Sequence, residues 1–214
     1  MNDDLDPGAI LNDIWSRLTA GQKHRAHPFY LPAVAITGID GAPTVRTVVL
    51  RAVEQEARLL SSQTDRRSPK CAALRSNPSA VWLFYDPPVR LQIRIKSVAT
   101  IHTDDSIADA AWAAVPTTSQ LNYLGELSPG TVIPMVYRSP TQWRAVGREN
   151  FAVVNCLVNE IDWLMIHPEG HRRLRITYDR GAVLSEWLVP SQIVMKAAQK
   201  RPPRNRHFFR LFFL

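Results

Sequence analysis

The chain has 214 residues, 45% of them hydrophobic, which is enough to bury one core and short for two domains of ordinary size. A formal net charge of +7 would point to a nucleic acid or an anionic surface. Lys196, Lys200, Arg201, Arg204, Arg206 and Arg210 account for six of those charges in the acid-free segment 191–214, leaving +1 for residues 1–190. A general polyanion-binding surface is thereby excluded for the body of the chain, whose arginines are read as local sites.

Two cysteines, Cys71 and Cys156, lie far apart and outside any C-x-x-C or metal-type spacing, so neither a disulfide framework nor a zinc site is expected. The start Met1-Asn2-Asp3-Asp4 is acidic and has no apolar signal region. No run reaches the roughly 20 apolar residues that a membrane span needs, so a reducing cytoplasm is the expected location.

In chain order, Ile10, Leu11, Ile14, Trp15 and Leu18 fall on one face and predict an amphipathic helix over 5–18, with residues 1–28 as a lead-in. The runs Ala33–Thr37 and Thr44–Arg51 flank Gly38-Ile39-Asp40-Gly41 and predict a hairpin. Residues 57–62 read as a third strand. Ser68-Pro69 then supplies an N-cap and a first-turn proline for a helix over 70–75, which Asn77-Pro78 stops. Strands follow at 80–85 and 89–102. In the second, Leu91, Ile93 and Ile95 alternate with Arg90, Gln92, Arg94 and Lys96, so one face is apolar and the other polar.

Thr103-Asp104-Asp105 caps a short helix through Ala108, Ala111, Trp112 and Val115, and the pattern between Pro116 and Arg148 is weak. The last third reads as strands at 151–158, 161–166, 172–178 and 182–189. About nine short strands with two or three helices predict a mainly β fold, a barrel with flanking helices rather than a doubly wound sheet. That domain covers 29–190, followed by a basic and aromatic tail over 191–214.

The chain has no G-x-G-x-x-G, P-loop, G-x-S-x-G or H-E-x-x-H motif. His24 and His27 have no third ligand in sequence, so no metal is expected. What remains are cations. Arg46 and Arg51 bracket an apolar run in which ordinary surface arginines would be unremarkable. Arg66, Arg67 and Lys70 surround a helix start whose free N–H groups suit a phosphate.

The order of these features resembles a known family. Arg46-Thr47-Val48-Val49-Leu50-Arg51 is followed by Thr64-Asp65-Arg66-Arg67-Ser68-Pro69-Lys70, then Asn77-Pro78 and an apolar strand. Leu91-Gln92-Ile93-Arg94-Ile95 comes next, and His171-Arg172-Arg173-Leu174 lies near the end. From Phe29 to Pro190 the sequence is similar to the pyridoxamine 5'-phosphate oxidase-like family of FMN-binding split barrels. The resemblance implies FMN as cofactor, with Arg46, Val48, Val49 and Arg51 on the flavin strand and Ser61 and Ser62 after the next strand. It implies Arg67, Ser68 and Lys70 at the phosphate, Gln92 at the ring, and Trp163 and Arg173 completing the site, usually from the other subunit of a homodimer. Hydride transfer between a small molecule and flavin N5 is the implied reaction, which requires no protein nucleophile.

In the vitamin B6 oxidases of that family, substrate is held by a Lys at the strand end, a Tyr and an Arg in a later helix, a Ser, and a late Arg-x-His. Here Arg51, Ala111, Val115 and Ser119 occupy the first four positions, and Glu169-Gly170-His171 the last. Exchanging a cation for an apolar residue, and another for a carboxylate, disfavours a doubly charged phosphate ester. His171 is the candidate substrate-facing catalytic residue. A flavin carrier or sensor without turnover and an authentic vitamin B6 phosphate oxidase are the alternatives. Nucleic-acid or membrane binding by 191–214 is the less favoured reading, since Pro202-Pro203 interrupts an amphipathic helix.

Overall fold

A computed structural model describes residues 5–133 and 147–190. The tail expectations for 191–214 lie outside the described residues.

Helix α1 spans Pro7–Lys23, with Asp6 as N-cap accepting from the Gly8 and Ala9 amides. Its apolar face, Ile10, Ile14, Trp15 and Leu18, is buried in the same cluster as the barrel interior. The helix end meets the 28–30 turn closely: a Cβ at Gly21 would stand 2.6 Å from Phe29 Cβ. Gly21→Ala is therefore expected to cost about 1–3 kcal/mol through overpacking, read as a lowered midpoint in urea unfolding.

Among the described residues nine strands follow, β1 Ala33–Thr37, β2 Pro43–Thr47, β3 Ala52–Glu54, β4 Leu59–Asp65, β5 Ser79–Asp86, β6 Leu91–His102, β7 Phe151–Met165, β8 Arg172–Asp179 and β9 Ala182–Leu188. Helix α2, Pro69–Ser76, lies between β4 and β5, and α3, Ser106–Ala113, and α4, Thr117–Gln120, follow β6. All strand pairs are antiparallel, in the order β2-β1-β5-β6-β7-β4-β3. The predicted barrel with flanking helices is borne out, with two refinements.

The first concerns closure. No ladder joins β2 to β3, so the sheet does not close into a hydrogen-bonded ring. Instead the chain crosses the gap. Val48 N and Leu50 N donate to Pro32 O and Tyr30 O on the β1 side, and Arg51 N then donates to Ser61 O on the β4 side. The predicted strand Thr44–Arg51 thus ends at Thr47, because residues 48–51 leave one neighbour for another before β3 begins at Ala52.

The second concerns β7, predicted as two strands and found as one of 15 residues. One edge pairs with β6 throughout, while the other pairs first with β4 and, from Glu160, with β8. The register shifts opposite Lys96/Ser97, leaving Asn159 as the additional residue of a bulge. The sheet splits there, and β8 with β9 extends as a second leaf. Alternation along β6 is as expected: Leu91, Ile93 and Ile95 are buried, and Arg94 and Lys96 exposed.

Among the described residues no helix is long and apolar enough to cross a membrane, and no group of three or more His, Cys, Asp or Glu could hold a metal.

Candidate functional site

Arg46 and Thr44 stand opposite Val34 and Ile36 in the β1–β2 ladder and share their inward face. Helix α2 begins against that face. Ser68 is its N-cap and Pro69 opens the first turn, as the sequence predicts, although the Ser68 side chain makes no capping hydrogen bond. A cleft of ≈430 Å³ lies between them, lined by Ile36, Gly38, Thr44, Arg46, Pro69, Lys70 and Ala73, with Asp40 also in its wall. A smaller pocket continues inward past Arg46 and Lys70 to Val48, Ser62, Trp82 and Cys156.

Arg46 Nη2 donates to Thr44 Oγ1 at 2.7 Å, and Lys70 Nζ to Thr64 Oγ1 at 2.7 Å. Neither cation has an ion-pairing carboxylate among the described residues. Burial holds the Lys70 ammonium below the ordinary lysine range, and nearby Arg46 adds to that lowering. Two neighbouring cations satisfied only by threonine hydroxyls form a site that gains from an anion.

The other two cations at the helix start are already engaged. Arg66 donates to Asp104 at 2.9 Å. Arg67 is held by both oxygens of Asp65, at 2.6–3.3 Å, and also donates to the carbonyls of Gly125 and Glu126. The expected clamp of Arg67, Ser68 and Lys70 is therefore redistributed. Lys70 faces the cleft with Arg46, while Arg67 anchors the 125–126 segment. Spacing alone locates charge at a helix start but not the acid two residues earlier that captures it.

The remaining assigned residues fall elsewhere. Ser61 lies on the other face of β4 from Ser62, with Oγ donating to Asn155 Oδ1 at 2.5 Å. Val48 packs against the core cluster, Val49 is half-buried, and Arg51 is exposed with its charge near Tyr123. Gln92 lies on the outer face of β6, in register with Leu164 and Arg173. Trp163, which resemblance places at the site, lies in the core. It is 4% exposed within the core cluster, opposite Ile93 and Leu174, and its neighbours Asp162 and Leu164 take the outer face instead.

His171 precedes β8, where its Nδ1 accepts the His167 amide at 3.2 Å within a turn. Both cysteines are free and buried. Burial pushes the Cys156 thiol up to about 11 and also raises Cys71, so neither is a ready thiolate.

The later helices supply no cation at the substrate positions named above. Val115 is buried with Tyr123, Phe151 and Val153, and Ala111 and Trp112 pack against them. The sequence reading missed Asp162, whose 8% exposed side chain receives both Arg94 and Arg173. The available signal was the pairing of an acidic register, Glu160 and Asp162, with the basic alternation Arg94 and Lys96.

Residues 11–103 match the family model for the pyridoxamine 5'-phosphate oxidase FMN-binding domain. The chain is 36% identical over 88 residues to a pyridoxine/pyridoxamine 5'-phosphate oxidase of Alkalilimnicola ehrlichii, covering 41% of this chain and 43% of that protein. It is 30% identical over 121 residues to pyridoxine/pyridoxamine 5'-phosphate oxidase 2 of Arabidopsis thaliana, covering 51% and 61%. The chain thus spans about half the length of the curated relatives it matches.

Among solved structures, a pyridoxamine 5'-phosphate oxidase-related FMN-binding protein from Nostoc punctiforme superposes with a TM-score of 0.67 at 23% identity, covering 89% of this chain and 100% of that one. PhzG from Burkholderia lata, in complex with tetrahydrophenazine-1-carboxylic acid, gives 0.65 at 18% identity, covering 88% and 95%. Both show the fold. Residues 11–103 are therefore similar to the FMN-binding domain of the pyridoxamine 5'-phosphate oxidase family, and the fold shared with such proteins continues through β9.

Proposed function

We propose that the protein is an FMN-dependent oxidoreductase acting on a small molecule without a phosphate ester. The observation that carries this reading is the Arg46–Lys70 pair, two cations lining one cleft at the start of α2, neither of them ion-paired to a carboxylate among the described residues. Such a site suits the FMN phosphate, with Thr44 and Thr64 holding the two cations in place. Bound FMN supplies hydride exchange with the substrate. The protein's part is to bind, orient and exclude water, with Val48 and Val49 along the flavin strand and Gln92 and Arg173 at the ring.

Arg46 and Lys70 lie on the inward side of the sheet and the Gln92–Arg173 row on the outward side. This separation supports a homodimer in which each FMN takes its phosphate contacts from one subunit and ring contacts from the other. The apolar packing of Val115 and Ala111 supports a substrate other than a vitamin B6 phosphate. Two buried thiols fit a cytoplasmic location.

Purified protein should be yellow or gain flavin absorbance with added FMN, and a colourless preparation that gains none overturns the reading. The affinity should also depend on pH. Binding a phosphate requires protonated Lys70, so affinity should fall as pH rises through its lowered pKa, on the acid side of ordinary lysine titration. In Lys70→Arg, which stays charged, that alkaline loss should vanish. For the unliganded protein the sign is opposite. The unfolded chain binds the extra proton between the lowered and ordinary values, so stability should rise with pH through that window.

A second reading, flavin held without turnover, is supported by His171, whose Nδ1 is occupied in a turn. Reduction by NAD(P)H and onward transfer at catalytic rates would exclude it.

A further inference from the structure

The outer face of β6, β7 and β8 carries a charged cluster that phosphate binding leaves unused. Asp162 on β7 receives Arg173 from β8 through Nε at 2.9 Å and Nη2 at 2.6 Å, and Nη2 of Arg94 from β6. One carboxylate thereby ties three adjacent strands.

The pairing is selective. Arg175 stands directly opposite Asp162 in the ladder, and Arg173 is opposite Leu164. Asp162 nevertheless takes Arg173 on the diagonal. Arg175 turns to Glu186 at 3.6 Å and leaves its Nε without a partner among the described residues. A guanidinium held by two parallel hydrogen bonds has one orientation, whereas a lysine or an unpaired arginine would have many. Burial alone would push the Asp162 carboxyl up, yet Arg173 and Arg94 together hold it below the usual carboxylate range, so it stays negative at neutral pH.

We propose that Asp162 is a positioning residue for the flavin, fixing Arg173 in the row of Gln92 and reducing the positive potential that Arg173 and Arg94 present to the ring. This rests on the FMN reading above, in which Gln92 and Arg173 border the ring. Two guanidinium groups and one carboxylate leave one net positive charge, and without the carboxylate there are two. A more positive surface favours the reduced flavin, which carries more negative charge than the oxidised form.

Asp162→Asn keeps the shape and removes the charge. In the full-length, FMN-loaded protein its two-electron midpoint potential, measured against a reference dye, should move to more positive values. The shift should correspond to an about tenfold change in the ratio of affinities for reduced and oxidised FMN, about 30 mV for two electrons. Arg173→Gln leaves Arg94 on Asp162, so it preserves the tie between β6 and β7. It should move the potential to more negative values by a similar amount, an effect that a merely structural role would not produce.

A yellow protein in which both variants keep the wild-type potential overturns the role of Asp162 and leaves the cofactor reading standing. Arg173→Gln at the wild-type potential overturns it even where Asp162→Asn does not fold. A wild-type protein that takes up no FMN overturns both readings.

Discussion

Lys70→Ala should weaken FMN binding by about 10- to 150-fold, because a charge-assisted hydrogen bond to phosphate contributes about 1.5–3 kcal/mol. Riboflavin should be affected far less, since it lacks the phosphate. The ammonium makes one hydrogen bond, to Thr64, and is already disfavoured by burial and by Arg46. Its removal therefore relieves a repulsion in the unliganded protein while removing a contact in the complex. Arg46→Gln should act in the same sense.

Arg67→Gln should behave differently. It releases Asp65 and the Gly125 and Glu126 carbonyls, so its main effect should be on unfolding midpoint rather than on affinity. Fluorescence titration of both flavins against the three variants separates these outcomes. If Lys70→Ala binds FMN as tightly as wild type while Arg67→Gln does not, the phosphate lies at Arg67 and the assignment to the Arg46–Lys70 cleft fails.

That contrast shows what was legible in the sequence and what was not. Local chemistry was legible: the Ser68-Pro69 start of α2, the Gly38–Gly41 hairpin and the two-residue alternation of β6 depend on neighbours in the chain. Partners brought by the fold were not. Nothing near Arg66 in sequence indicates Asp104, and nothing near Arg173 shows that Asp162 takes it in preference to Arg175 across the ladder.

Strand phase was the subtler loss. Along β7, Cys156 and Val158 are buried, then Ile161 and Trp163, so the buried positions change from even to odd at the Asn159 bulge. A bulge shifts every later side chain to the other face. Trp163, which resemblance places at the site, is accordingly an inward core residue, and the outer face passes to Asp162 and Leu164. The missing ladder between β2 and β3 has a similar origin, since a change of hydrogen-bonding neighbour within Val48–Arg51 leaves no compositional trace.

Trp15→Ala should destabilise the protein by about 3–5 kcal/mol, the usual cost of truncating a buried tryptophan. That is a large fraction of the roughly 5–15 kcal/mol total for a domain. Trp15 is 1% exposed, lies among barrel residues in the main core cluster, and its Nε1 donates to Tyr178 at the far end of β8, at 3.1 Å. Arg58 stacks over the same tyrosine ring at 5.0 Å, so the β3–β4 turn, β8 and α1 meet at one point. Trp15→Phe keeps most of the apolar volume and removes the donor, so it should cost nearer 1–2 kcal/mol.

Chemical denaturation followed by both far-ultraviolet circular dichroism and tryptophan fluorescence decides how α1 relates to the barrel. If α1 completes the core, both probes should report one coincident transition, shifted to lower denaturant in Trp15→Ala with the slope unchanged. A separate early loss of helical signal, with the barrel transition unmoved, would make residues 1–28 an appendage to a domain that begins at Phe29.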